Sequence, residues 1–325
     1  MIQRYRKTRW YQNLTIVFCS ILAFLFQISF HIHKVIANEN TIITIQSQSI
    51  PAYNEVIKGF EEGCKGKDIS IKAIYDLKGD AEEGKSIIQT IKDNKLKPKL
   101  ILAVGVLAAT LVKEKFPDIP IIFCMVINHE RFNLQGANIT GISSEASVED
   151  QFAILKELLG PRKNVGVIYD PMKTVKIISE ATLVAKKFEF NLTTAEVTSE
   201  KDVAPALNNI IDKIDALWMI PDSTVITKKS LSIINKKTLE HRLPIFCTSE
   251  AIVKAGALVS VSPDYAYTGL QAAQIAQMLL NNPSTTSLGV KKPEKLKLTL
   301  NTQTAEIVDI NLSPIQSRPN VVLYP

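Results

Sequence analysis

The sequence predicts an α/β protein of two Rossmann-like lobes, each a parallel sheet flanked by helices, and three observations carry that expectation. A βαβ unit occurs twice: Leu100-Ile101-Leu102-Ala103-Val104, Gly105, a helix and Ile119 to Cys124, then Ala216-Leu217-Trp218-Met219-Ile220, Pro221-Asp222, a helix and Leu243 to Cys247. The strands of both copies are apolar throughout, as parallel strands covered on both faces are, and the connections are too long for hairpins. The chain has 325 residues, enough for two domains that each bury a core. Two such lobes enclose a cleft at the carboxyl ends of their strands.

The elements follow in order. Thr41 to Gln46 reads as a strand, Ala52 to Gly63 as an amphipathic helix, Ile69 to Tyr75 as a strand and Ala81 to Asn94 as a helix, before the first repeat unit. Asn128 to Gly141 has turn residues and no period, which suits a loop leading to a crossing strand near Thr140 to Ser143. The second lobe repeats the alternation. Val148 to Leu159 is a helix stopped by Gly160-Pro161, Val165 to Tyr169 a strand, Thr174 to Phe188 a helix, Leu192 to Val197 a strand and Asp202 to Ile211 a helix. Beyond the second repeat, Gly256 ends a short helix and Ala257 to Val261 is a strand. Tyr265 to Leu280 is a helix, Leu296 to Leu300 a strand and Thr304 to Asp309 a short helix, so the chain crosses between lobes more than once.

The net charge of +6 misleads about partners. Arg4, Arg6, Lys7, Arg9 and Lys34 precede Asn38 with no acid among them, and the remaining basic residues nearly balance the 32 acidic ones. Nothing in the body suggests a nucleic-acid surface, which needs clustered Lys and Arg on one face. Residues 1–37 read as a leader: a positive start, an apolar run from Leu14 to Phe30, and Val35-Ile36-Ala37 as the cut. Export to the periplasm is the expectation, with an uncleaved membrane anchor as the alternative, since the run is long enough to span a bilayer. Beyond the leader stand Cys64, Cys124 and Cys247, an odd number, so the chain is no disulfide scaffold. Cys124 and Cys247 end equivalent strands and read as small buried residues.

Gly79 to Ser86 fits G-x-x-x-x-G-K-[ST] after a strand and before a helix. Asp80, Glu82 and Glu83 would repel a phosphate there, whereas Asp80 as a cap and two glutamates in a first turn suit a helix start. The segment therefore predicts a helix cap. Beyond the leader the two histidines, His129 and His241, come with no H-E-x-x-H, C-x-x-C or G-x-S-x-G, so no catalytic residue, metal site or cofactor is expected. What the chain offers is polar residues just after strands: Ser47, Asn128, Tyr169-Asp170, Asp222, Ser249-Glu250 and Asp264-Tyr265, with Gly105 opening a helix whose free amides suit a carboxylate. Asp222, Ser249 and Asp264 read equally as helix caps, and recurrence on both lobes is what favours the cleft.

These residues carry a resemblance. Ala52-Tyr53, Lys58-Gly59-Phe60, Gly79-Asp80, Ile119 to Phe123, Asn138 to Ile142, Asn164 to Pro171, Pro221 to Val225, and Ile245-Phe246 with Ser249-Glu250, Val253-Lys254 and Gly256-Ala257-Leu258 stand in an ordered series. The series resembles the substrate-binding proteins of ABC transporters of the tryptophan and tyrosine import type. That resemblance implies a type I periplasmic-binding fold, with three crossings and lobes of 38–141 plus about 263–295 and 142–262 plus about 296–325.

It also implies that Asp170, Asp222, Ser249, Glu250 and Tyr265 are cleft residues, with Asp222 or Glu250 toward a ligand amine and Ser249 and the Gly105 helix start toward a carboxylate. Two positions depart from the pattern: Val106 stands where the family commonly has Thr, and Asn128-His129-Glu130-Arg131 replaces a short Asp-Pro turn. The function expected is a monomeric, non-enzymatic binding protein that closes on a small amino-acid-like ligand and presents it to an ABC permease. A sensor for a membrane receptor and an exported hydrolase are the alternatives.

Overall fold

The computed structural model describes residues 40–94 and 97–325, and the expectation of a leader over 1–37 lies outside them. The first lobe opens with β1 (Thr41–Gln46), α1 (Pro51–Cys64), β2 (Ser70–Asp76), α2 (Ala81–Asp93), β3 (Leu100–Val104), α3 (Val106–Lys115), β4 (Ile121–Cys124) and β5 (Ile139–Ile142). The second contains α4 (Val148–Leu159), β6 (Asn164–Tyr169), α5 (Pro171–Lys187), β7 (Asn191–Glu196), α6 (Glu200–Ile210), β8 (Ala216–Trp218), α7 (Lys228–Glu240), β9 (Ile245–Cys247), α8 (Glu250–Lys254) and β10 (Val259–Pro263). The tail supplies α9 (Tyr265–Asn281) and β11 (Gly289–Lys291), then β12 (Leu296–Asn301), α10 (Thr302–Val308) and β13 (Val321–Tyr324).

The sheets have strand orders β11-β5-β4-β3-β1-β2 and β13-β12-β10-β9-β8-β6-β7. Their first five strands wind identically, and in each the order reverses between the first and third strands of the lobe. Those reversals, between β1 and β3 and between β6 and β8, are the topological switch points where open α/β sheets bind ligands. All strand pairs are parallel except β10 with β12, where the chain re-enters the second lobe in the opposite direction.

Unbroken apolar strands are explained by two-sided burial. In β3, Leu100, Leu102 and Val104 pack with α1 and α9, while Ile101 and Ala103 pack with α2 and α3. The second lobe divides likewise between a layer containing Phe152, Trp218 and Val261 and one containing Leu207, Ile234 and Val253. The segment matching the phosphate-loop pattern is a helix start: Asp80 caps α2 by accepting from the amides of Glu82 (2.9 Å) and Glu83 (2.8 Å), and Lys85 pairs with Glu82 at 2.7 Å.

Three stretches, 143–147, Asp264 and 292–295, pass between the sheets. After the second crossing α9 returns to the first lobe and lies directly on α1. A Cβ at Gly59 would stand 2.0 Å from the Ala266 carbonyl oxygen, and one at Gly269 would stand 2.1 Å from the Val56 oxygen and 2.5 Å from the Phe60 nitrogen. The two backbones touch, and only glycine permits that approach. The helix also holds the third crossing: the Gln271 amide donates to the Lys292 carbonyl at 2.9 Å and accepts from the Glu294 amide at 3.2 Å.

The structure differs from the sequence expectations at the joints. Ile139–Ile142 is the fifth strand of the first sheet rather than a crossing strand, and the crossing begins after it, at Ser143. Within Asn128 to Gly141 the chain forms a 3-10 turn, His129–Phe132. Strands β11 and β13 have no sequence forecast: β11 is three exposed residues and β13 a half-exposed edge, so neither shows the pattern that burial imposes. Among the described residues no helix is long and apolar enough to cross a membrane.

Replacing Gly269 with Ala drives a methyl group into the α1 backbone, which cannot yield as a side chain would. The expected loss is about 1–3 kcal/mol of stability, measured by urea unfolding, with Gly84→Ala, whose methyl group meets only the Leu111 and Leu77 side chains, losing less.

Candidate functional site

The switch point of the first lobe is built from Ser47, Gly105 and Tyr53. Gly105 has φ +90°, a conformation that puts the turn between β3 and α3 out of reach of other residues. A Cβ there would lie 2.6 Å from the Ser47 hydroxyl and 2.7 Å from the Tyr53 hydroxyl, so the tyrosine ring covers the glycine. Ser47 accepts from the Ala108 amide at 3.0 Å, capping α3 from a neighbouring strand. Burial, with Cys124 beside it, pushes the Tyr53 phenol above its ordinary value.

The switch point of the second lobe is filled by its own side chains. Asp222 is 1% exposed and accepts from the Asp170 amide (2.8 Å), the Thr174 hydroxyl (2.7 Å) and the Thr224 amide (2.9 Å). Asp170 caps α5 through the Met172 amide (2.9 Å) and accepts from the Thr224 hydroxyl (2.7 Å), which holds its carboxyl below the ordinary range. The two aspartates tie the turns after β6 and β8 to each other. A buried carboxylate needs such donors, and this pair takes them from the protein.

The remaining predicted residues fall into three places. Tyr169 is in the second lobe's core, its hydroxyl donating to Glu196 at 2.8 Å. Glu250 is bound by Lys254 (2.7 Å) and Lys297 (2.9 Å), which hold its carboxyl low, so its charge already has cations. Ser249 precedes α8 without forming a cap bond. Tyr265 opens α9 at the second crossing, and burial followed by the charges of Glu55 and Glu250 pushes its phenol up. Asn128 stands apart: its side-chain amide donates to the Lys173 carbonyl of the other lobe at 3.4 Å, and its backbone amide to Glu145 at 3.2 Å.

Two adjoining cavities border the first crossing, and of the two the larger has walls from both lobes. The smaller, about 210 Å³, is on the hinge side, between the first crossing and the strand ends of the second lobe, with Trp218, Ile220, Pro221 and Thr248 in its lining. The larger, about 430 Å³, separates Asn128 to Arg131 from Met172 to Lys176. Glu145, Ile177 and Glu180 form part of both walls. The lips are joined by Lys176 and Glu130 at 2.5 Å, an exposed pair of small energetic weight.

Glu145, Glu180 and Trp218 have no counterpart among the sequence-predicted site residues. Glu145 sits in a polar loop and Glu180 on a helix face, where no motif marks them. A usable signal is Gln151 on the buried face of α4: its oxygen accepts the Trp218 indole N–H at 2.8 Å and its amide donates to the Ala146 carbonyl at 2.9 Å, fixing the cavity floor to the first crossing. His129 lines the larger cavity 5.8 Å from the Phe123 ring, and burial lowers its pKa. His241 caps α7, 2.8 Å from the Lys237 carbonyl. The three described cysteines are free and buried, and burial pushes Cys124 and Cys247 up to about 12. Among the described residues no group of three or more His, Cys, Asp or Glu could hold a metal ion.

Residues 41–317 match the family model described as ABC transporter substrate binding protein. The chain belongs to that family. Its members are non-enzymatic binding proteins, so hydrolysis drops out. The tyrosine-binding protein of Clostridioides difficile (strain R20291) is 25% identical over 273 residues, 80% of this chain and 78% of that one. A substrate-binding protein with adhesive properties from Clostridium difficile, solved ligand-free and open, superposes with a TM-score of 0.74 at 21% identity, covering 88% of this chain and 99% of that one. An ABC domain from Streptococcus pneumonia in complex with L-Trp superposes with a TM-score of 0.62 at 20% identity, over 88% of this chain and 100% of that one. The fold is that of type I periplasmic binding proteins.

Asp222→Ala strands the Asp170 and Thr224 amides in a buried site, and a loss of about 2 kcal/mol or more is expected in urea unfolding. The depressed Asp170 carboxyl contributes stability that is present above its unfolded pKa of about 3.9 and is lost as pH falls through the folded value. Thr224→Val removes the first cause of that depression. The stability difference between neutral and acid pH should therefore shrink, as read from unfolding curves across that range.

Proposed function

We propose that this protein is the exported ligand-capturing component of an ABC importer, closing its lobes on a small amino-acid-like molecule and presenting the closed form to the permease. The observation that carries this reading is the larger cavity, with Asn128 to Arg131 of the first lobe on one wall and Met172 to Lys176 of the second on the other, adjoined at Glu145 by the hinge-side cavity. A ligand seated there touches both lobes, and its differential affinity for the closed form shifts the population toward closure. The tyrosine-binding relative and the L-Trp complex support an amino-acid-like ligand, and the leader expected from the sequence of residues 1–37 supports export.

Recognition divides between the lobes. Ser47, Tyr53 and the Gly105 turn line neither cavity, so the first lobe meets the ligand through Asn128 to Arg131 of the larger one. Asp222 and Asp170 act by fixing the turns that face the ligand rather than by touching it, because their oxygens already accept from the protein. Asn128, with Glu130 and Lys176, supplies contacts between the lips.

A thermal-shift screen over amino acids, related amines and small carboxylates tests this reading. A ligand at a hundred times its Kd raises stability by about 2.7 kcal/mol and so raises the Tm, and small-angle scattering should show compaction with the same compound. No shift with any member of the three classes would refute ligand capture of this kind.

A further inference from the structure

We infer that Gln151 and Gln271 are positioning residues for lobe closure: each fastens one crossing to one lobe, so that bending is confined to the Glu145–Ala146 link, Asp264 and Lys295. This placement of the joint rests on the lobes closing, as ligand capture requires, and it holds for any ligand.

The first crossing is divided between the lobes within five residues. The Ser143 amide donates to the Lys291 carbonyl of β11 at 2.9 Å, the Glu145 amide donates to the Ser143 hydroxyl at 3.3 Å, and the Glu145 carboxylate accepts from the Asn128 amide at 3.2 Å. These bonds refer 143–145 to the first lobe. Beyond them the Ala146 carbonyl accepts from the Gln151 amide at 2.9 Å, and Ser147 caps α4 through the Asp150 amide at 3.1 Å. Gln151 is 7% exposed and its oxygen accepts from the Trp218 indole at 2.8 Å, so it fastens Ala146 to the core of the second lobe. Only the Glu145–Ala146 link lies between the two sets of bonds. Ser144, beside it, has a buried hydroxyl without a partner among the described residues, a cost that a second arrangement of the joint can relieve.

The third crossing is held in the opposite sense. Gln271 of α9, 3% exposed, donates to the Lys292 carbonyl at 2.9 Å and accepts from the Glu294 amide at 3.2 Å, which fastens 292–294 to the first lobe. Tyr267, on the same helix, donates to the Glu294 carboxylate at 3.3 Å, and its ring centroid lies 4.2 Å from the Lys295 ammonium. Since β12 begins at Leu296, paired with Pro263, Lys295 alone stands between that clamp and the second sheet. Its carbonyl accepts from the Asp264 amide at 3.0 Å, so the second and third pivots lie side by side, and the Ser143 bond to Lys291 brings the first beside them.

A buried amide bonded at both ends fixes what it touches, because losing either bond leaves an unmet polar group. Rotation therefore falls to the few residues between fixed segments. Adjacent short pivots give the closing lobes a single register, in which Asn128 meets Lys173 and Glu130 meets Lys176 across the larger cavity.

Nitroxide labels at Ala81→Cys and Lys201→Cys, exposed positions in the first turns of α2 and α6, report the separation of the lobes by pulsed electron spin resonance, and the three described native cysteines are buried away from the reagent. With no ligand present, Gln151→Met and Gln271→Met, which keep the length of the side chain and lose both of its bonds, should each broaden the distance distribution. Thr238→Val, which removes a buried hydroxyl bond within α7, should leave the distribution as it is in the labelled parent, whatever its effect on Tm. In the unmodified protein, protection from hydrogen exchange should be at least about fivefold greater at the Glu294 amide than at the Lys295 amide, a comparison that stands if either variant fails to fold. A distribution unchanged by either glutamine variant, or broadened as much by Thr238→Val, would overturn that positioning role, as would equal protection at Glu294 and Lys295. None of these results bears on ligand capture, which the thermal-shift screen decides.

Discussion

The contact between the backbones of α1 and α9 is the constraint on which the arrangement of the two lobes depends. Gly59 and Gly269 let the helices meet with no side chain between them, with Ala266 and Ala273 completing the narrow face against Gly59 and Gly63. Since α9 begins at the second crossing, this contact fixes where the chain leaves the second lobe. Gln271, on the same helix, grips the third crossing through both ends of its amide. Two of the three connections are therefore referred to one helix pair in the first lobe, and the cleft inherits its geometry from that pair. Backbone contact of this kind is stiff, because close-packed interiors shift between discrete arrangements rather than deforming smoothly.

The lobes have the same winding, yet their switch points have different chemistry. In the first lobe a positive-φ glycine, a serine and a tyrosine leave polar groups at the crevice, one of them already used to cap α3. In the second, Asp170, Asp222, Thr174 and Thr224 bond to each other and close the crevice from within. Such a network is costly to break and specifies one arrangement of the turns after β6 and β8. The free space then lies beside the second switch point, toward the first crossing, where Glu145, Ile177, Glu180 and Thr248 are part of its lining. Repeated topology gives two equivalent positions, and the side chains decide which of them stays open.

Much of the fold was legible because burial on both faces writes itself into a strand. Leu100 to Val104 and Ala216 to Trp218 are apolar at every position since a helix covers each side, and the helices between them have caps such as Asp80, Asp170 and Asp264. Where burial is partial the pattern fades: β11 and β13 are exposed edges, and the turn after β4 follows local backbone preferences. Short motifs read without their surroundings mislead for a related reason. The Gly79 to Ser86 segment has the spelling of a phosphate loop, but its acidic residues occupy the first turn of α2 and its lysine is paired with one of them.

By itself the sequence determined two α/β lobes, the polar residues at strand ends, the buried character of Cys124 and Cys247, and the absence of metal and nucleophile motifs among those strand ends, because each of these follows from neighbours close in the chain or from a regular period. Only the tertiary structure decided which polar residues have anything left to offer a ligand. Asp222 and Glu250 look alike as carboxylates after strands, but Asp222 is buried and accepts from two amides and a hydroxyl, while Glu250 is partly exposed and pairs with Lys254 of its own helix and Lys297 of β12. Glu145 and Glu180, unremarked in the sequence, are left without a counter-ion among the described residues, and Glu145 accepts one bond from the Asn128 amide. Hydrogen-bond satisfaction is a property of residues far apart in the chain, so a linear pattern cannot record it.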